Sequence, residues 1–157
     1  MILDVPSSDD FRNSGITFLN LAWDRVQEIL NTLDQADIAE WDADDEESEE
    51  FWRSVQKPLF TSLALVQQAT EFLLKGKIVE VSPFLLIAGD PRSWPKGCDK
   101  NHVQFADFRS VDAQDLIRVV NTVAHERLDD KLVTSIDELR GRQGDGHKNI
   151  SFSKRIL

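Results

Sequence analysis

Side chains able to bind a metal, attack an electrophile or move a proton are few in this chain. Its three histidines, His102, His125 and His147, lie on three separate segments, and no His-x-x-x-His or Glu-x-x-His pair occurs. The single cysteine, Cys98, excludes an intramolecular disulfide framework and every cysteine-rich zinc pattern. As a nucleophile it has no histidine support in sequence and reads as an incidental loop thiol. The stretch Gly141-Arg-Gln-Gly-Asp-Gly146 is no phosphate loop, because no strand precedes it and no Lys-Ser/Thr closes it. No metal or cofactor is therefore expected. What remains is Arg140, Arg142 and His147, near the end of the last helical segment. From Arg140 onward Arg140, Arg142, Lys148, Lys154 and Arg155 face only Asp145, so this stretch is locally basic.

An arginine–histidine pair in a basic setting has one obvious chemistry. Cleaving RNA without a metal requires an imidazole that moves a proton to or from the 2′-hydroxyl or the leaving oxygen. It also requires a fixed cation that stabilises the developing phosphorane. Histidine titrates in the useful range, and arginine offers a planar fork for phosphate oxygens. At a separation of five, Arg142 and His147 lie about 140° apart on a helix, so the long arginine would have to reach round. The plainer reading of such a pair is a cation complementing the dipole at a helix C-terminus.

The surroundings of the pair add to it. The stretch from about Thr70 to His147 resembles the HEPN superfamily of helical-bundle proteins, many of them ribonucleases of toxin–antitoxin, abortive-infection and other defence systems. The family pattern is an arginine, four to six residues, then a histidine, late in the bundle, usually with a polar residue after the arginine. Arg142-Gln143-Gly-Asp-Gly-His147 is the four-residue form, and Arg140 to His147 is the six-residue form. Upstream, Thr70-Glu-Phe-Leu-Leu-Lys75, Ser82-Pro-Phe-Leu-Leu86, Trp94-Pro95, Phe105-Ala-Asp-Phe108 and Val111-Asp-Ala-Gln-Asp-Leu-Ile117 follow in a similar order. Ile136-Asp-Glu-Leu-Arg-Gly-Arg-Gln143 is similar to the family's Leu-Arg-x-x-Arg-Asn lead-in. Gly144 and Gly146 stand where the family has helix formers. The resemblance implies Arg142 as phosphate and transition-state binder and His147 as general acid/base. Gln143 would be an RNA or supporting contact and Glu71 a polar partner of the pair; the basic tail itself offers Lys148, Lys154 and Arg155 as substrate-binding cations. It also implies RNA as substrate, a homodimer with two motifs at one cleft, and an antitoxin or regulatory protein as partner. Trp41, Trp52, Phe152, Ile156 and Leu157 are candidate interface residues.

The elements that must position these residues are read from periodicity. Leu19, Ala22/Trp23, Val26, Ile29/Leu30 and Leu33 predict a helix over about 18–33, with Gly15 weakening anything earlier despite start signals at Ser7, Ser8 and Asp9. A second helix begins near Glu49 or Pro58 and runs to about Val79, with Leu59, Leu63, Val66, Ala69/Thr70, Leu73/Leu74 and Ile78 inward. Pro58 would kink or interrupt a helix begun at Glu49. Neither stripe can be buried alone, so the two helices should pair. Ser82-Pro83 stops the second helix. Phe84–Ile87 is a buried strand or core-facing loop, and 89–108 is a long irregular aromatic loop. Ser110 caps a third helix bearing Leu116, Val119/Val120 and Val123. A fourth opens at Asp129/Asp130, turns Leu132/Val133, Ile136 and Leu139 inward, and should fray at its glycines. The expected fold is all-α, an antiparallel four- to five-helix bundle in a single domain over 1–157.

Composition sets the outer limits. With 157 residues and 41% hydrophobic content, the chain can bury roughly 70% of its unfolded surface without a staple. No apolar run approaches the roughly 18 residues of a membrane helix, and no basic secretory leader follows Met1, so a cytoplasmic protein is expected. The net charge of −10 comes from one place: ten acids and no base occur between Asp34 and Glu50, and the rest of the chain balances at 18 of each sign. That run reads as a solvated acidic loop over 34–50. Three functions are compatible with these features: a HEPN-type metal-independent endoribonuclease, a catalytically silent HEPN-like module binding RNA or protein, and an acidic helical protein whose 34–50 run docks a basic partner.

Overall fold

The computed structural model describes residues 1–35 and 46–144, with side chains left out at 46, 47 and 142–144. Four α-helices make up most of the described residues: α1 (Ser8–Gln35), α2 (Glu46–Val81), α3 (Ala113–Val123) and α4 (Asp130–Gly144). A two-residue strand at each of Ile2–Leu3 (β1) and Val103–Gln104 (β2) forms a small parallel ladder.

α1 begins ten residues before the periodic segment does, and a capping box explains why. Asp10 accepts from the Ser7 backbone N–H at 2.9 Å and from its hydroxyl at 2.7 Å, while the Asp10 N–H donates to Ser7 Oγ at 3.2 Å. These bonds to its charged form hold the Asp10 carboxyl below its ordinary value of 3.8, the Ser7 backbone bond contributing most. A lowered folded value means the box contributes fully above about pH 4 and is lost as pH falls through that lowered value. Ser7→Ala should therefore lower the urea midpoint at neutral pH and lower it less in strong acid, as denaturation curves at both pH values would show.

α1 nevertheless runs through Gly15, which lets it approach α2. A Cβ there would lie 2.8 Å from Leu73 Cγ and 3.2 Å from the Ala69 carbonyl. The expected pairing of the first two helices is found, and they run antiparallel: Phe72 of α2 packs against Phe11 and Phe18 near one end, and Phe51, Val55 and Leu59 pack against Ile29 and Leu33 near the other. The stripe read along α1 is split by this contact. Ala22 and Ile29 are buried, whereas Leu19, Trp23 and Leu30 remain exposed.

α2 runs unbroken through Pro58. The residue whose carbonyl loses its helical donor, Ser54, is exposed, so water can replace that bond. Packing of Val55 and Leu59 on α1 holds both sides of the proline in line. Its start at Glu46 also shortens the expected acidic loop: Asp34 belongs to α1, and the backbone of Glu46–Glu50 opens α2, with Glu49 and Glu50 exposed.

The main core joins α2 to α3. Leu74, Ile78 and Val79 meet Leu86, Leu116 and Val120, with Phe11 and Phe105 packed on the edge. Phe84–Ile87 is neither a strand nor a plain loop. Pro83–Leu86 is a 3₁₀ turn that buries only Leu86, and Ile87 makes an isolated antiparallel bridge to Ser110. That bridge occupies Ser110, and the residue at the start of α3 is Asp112. Segment 89–108 is more ordered than expected, with 3₁₀ turns at Pro91–Ser93 and Phe105–Asp107 flanking the aromatic contact Trp94–Phe108. On α4, Ile136 is buried and Val133 and Leu139 half-buried, but Leu132 stays exposed. α4 also continues through Gly141 to Gly144, where the glycines were expected to fray it.

Candidate functional site

An open cleft of about 610 Å³ lies where α2, α3 and α4 meet, lined by Gln67 and Glu71, Asp112 and Ala113, and Leu139 and Arg140 among others. Sequence spacing explains how α2 supplies a polar wall here. Gln67 and Glu71 continue, at helical intervals, the line that Leu74 and Ile78 bury against α3.

Two long-range hydrogen bonds fix α4 over this cleft. Gln67 Nε2 donates to the Leu139 carbonyl at 2.7 Å, and Arg140 Nη2 donates to the Ala113 carbonyl at 2.6 Å. Arg140 Nη1 also lies 3.8 Å from Asp137. Both bonds act on the turn just before Gly141, which accounts for a helix that persists through residues of poor propensity. Gln67 is the residue that sequence reasoning missed. Its signal was a polar residue within an otherwise inward-facing line.

Of the sequence-predicted residues, Glu71 and Arg140 are brought to the same cleft. Glu71 accepts from Lys75 Nζ at 2.6 Å, in a pair whose side chains are only 27% and 14% exposed. Burial of this degree makes the pair a fixed feature of the wall. The backbone of Arg142 and Gln143 belongs to the last turn of α4, beyond Arg140, and their side chains lie outside the description. His147, Lys148, Lys154 and Arg155 lie outside the described residues, as do Trp41, Phe152, Ile156 and Leu157. Trp52 is described and packs edge-on against Phe51.

The remaining chemistry-bearing residues are scattered. His102 is exposed in the segment before β2, His125 is exposed beyond α3, and Cys98 is half-buried in the long connection. Among the described residues no cluster of three or more potential ligands could hold a metal ion, and no helix is long and apolar enough to cross a membrane. The cleft wall thus offers amide, carboxylate and guanidinium groups, the Gln67 amide and the Arg140 guanidinium tied to backbone carbonyls and the Glu71 carboxylate to Lys75 behind it. Such a wall suits a polar ligand with several hydrogen-bonding groups. No family model, no curated protein and no solved structure matches the chain.

Proposed function

We propose that this protein is a metal-independent endoribonuclease of the HEPN type, with a four- to five-helix bundle and a role in a toxin–antitoxin or antiphage defence setting. The single observation that carries the reading is the anchoring of α4. Gln67 and Arg140 fix Leu139 and Arg140 beside a polar cleft, immediately before the Arg142–His147 motif. A catalytic arginine needs such support, because a transition-state contact loses most of its value when its position is loose.

The anchoring supports different roles for the two arginines. Arg140 is engaged with the Ala113 carbonyl and is assigned a positioning role. Arg142 is then the phosphate binder and His147 the proton carrier, with Gln143 contacting RNA and Lys148, Lys154 and Arg155 binding the backbone of the strand. In the reaction the 2′-hydroxyl gives up its proton and its oxygen attacks phosphorus. The bond from phosphorus to the 5′-oxygen breaks, and that oxygen takes up a proton. The products are a 2′,3′-cyclic phosphate and a free 5′-hydroxyl. His147 serves one of the two proton transfers, and Arg142 neutralises the charge that builds on the phosphoryl oxygens.

The test is cleavage of a labelled RNA in EDTA with analysis of the product ends. Wild type should cut and leave cyclic phosphate. Arg142→Ala should lose roughly 100-fold or more of the rate, while Arg140→Lys, which keeps a cation, should lose less. Equal cleavage by wild type and Arg142→Ala would overturn the assignment. A second reading is a non-catalytic RNA- or protein-binding module. It is favoured by the engagement of both described candidates, Glu71 with Lys75 and Arg140 with Ala113. RNA retained without cleavage by the wild type would select it.

A further inference from the structure

α1 carries two apolar lines, and α2 covers only one of them. Phe11, Gly15, Ala22 and Ile29 lie toward α2, while Ile16, Trp23 and Leu30 are 46%, 61% and 46% exposed. These three are seven residues apart, so they share one side of the helix, roughly 100° round from the line that faces α2. Leu19, 37% exposed, lies between them. A run of large apolar side chains left open along two heptads is more than the scattered exposure ordinary for a surface.

The line is symmetric about Trp23. Ile16 and Leu30 stand seven residues on either side, and beyond them Arg12 and Asp34 stand eleven residues on either side, one a cation and the other an anion. We propose that this line is a self-complementary interface through which two copies of the chain pair by antiparallel α1 helices about a two-fold axis at Trp23. Such an axis sets Trp23 against the partner's Trp23, Ile16 against the partner's Leu30, and Arg12 beside the partner's Asp34. Both ends of the helix pair then carry opposite charges. A parallel pairing would bring like charges together at each end.

Two further features suit a second copy of the chain. A protein with a net charge of −10 repels itself, yet Asn13, Asn20, Gln27 and Asn31, which border the apolar line, are all uncharged. Among the described residues Arg12 pairs with Asp9 of its own helix, at 3.1 Å and with both side chains largely exposed, an arrangement that costs little to share or exchange. The line from Ile16 to Leu30 is about 21 Å long. A seam of that length is short, so the dimer should be reversible and dissociate on dilution.

Sedimentation velocity over a concentration series tests the proposal, with circular dichroism confirming that each variant stays helical. Wild type should shift from monomer to dimer. Trp23→Asp should stay monomeric, while Leu21→Asp, 47% exposed but about 160° round the helix, should dimerise like wild type. Arg12→Asp and Asp34→Arg should each raise the dissociation constant about tenfold or more, and the double exchange should restore it. A wild type that is monomeric throughout would overturn the proposal, as would equal dimerisation of the Trp23 and Leu21 variants. Failure of the double exchange to restore pairing would also overturn it. Should Trp23→Asp fail to fold, the charge exchange alone decides.

Discussion

Leu116→Ala lowers the unfolding free energy by about 2–5 kcal/mol. Leu116 is fully buried, and it packs in the cluster where Leu74 and Ile78 of α2 meet Leu86 and Val120. Truncation removes apolar area from that contact and leaves a cavity. Its neighbours cannot readily close the gap, because Leu86 is held by the Pro83–Leu86 turn and by the Leu86 carbonyl's bond to the Val111 N–H at 2.8 Å. For a domain stabilised by about 5–15 kcal/mol in total, this is a large fraction. Leu132→Ala, on the exposed side of α4, should change stability by less than about 0.5 kcal/mol. Urea denaturation of the two variants provides the check. Similar midpoints would mean that the core lies elsewhere.

The fold was legible in the sequence wherever a side chain's burial follows from helical spacing alone. The inward line of α2, the Leu116 and Val120 pair of α3 and the opening of α4 are of this kind. What the spacing could not show depended on a partner element. Gly15 reads as a helix breaker because its cost is local, while its benefit, room for Leu73 and Ala69, exists only once α2 is in place. Pro58 is tolerated because Ser54 is an exposed residue whose carbonyl water can reach, and α1 holds the flanking turns. Trp23 fits the period of α1 as well as Ala22 does. Only the direction of approach of α2 decides that Ala22 is buried and Trp23 is not.

The candidate site divides in the same way. Residue type and spacing point to Arg140, Arg142 and His147, but nothing in that spacing distinguishes one arginine from the other. The engagement of Arg140 with the Ala113 carbonyl, on a different helix and 27 positions away, is likewise invisible to spacing. Gln67 is not legible as a site residue because a glutamine on a helix is ordinarily solvated. Its role depends on the Leu139 carbonyl lying within 2.7 Å.

The second large effect is at His147. If its imidazole carries a proton in the cleavage of RNA, His147→Ala removes that transfer and slows the reaction by about 10²–10⁴-fold. The loss should be as great in EDTA as with added divalent cations, because no metal takes part in the proposed step. Stability should hardly change, and matched urea curves for the variant and wild type would separate lost chemistry from lost fold. The most direct measurement is the single-turnover rate of RNA cleavage in EDTA by wild type and His147→Ala at equal folded fraction. The account predicts cyclic phosphate ends from the wild type and a rate at least about 100-fold lower from the variant. Equal rates from the two proteins, or no cleavage by either, would contradict it.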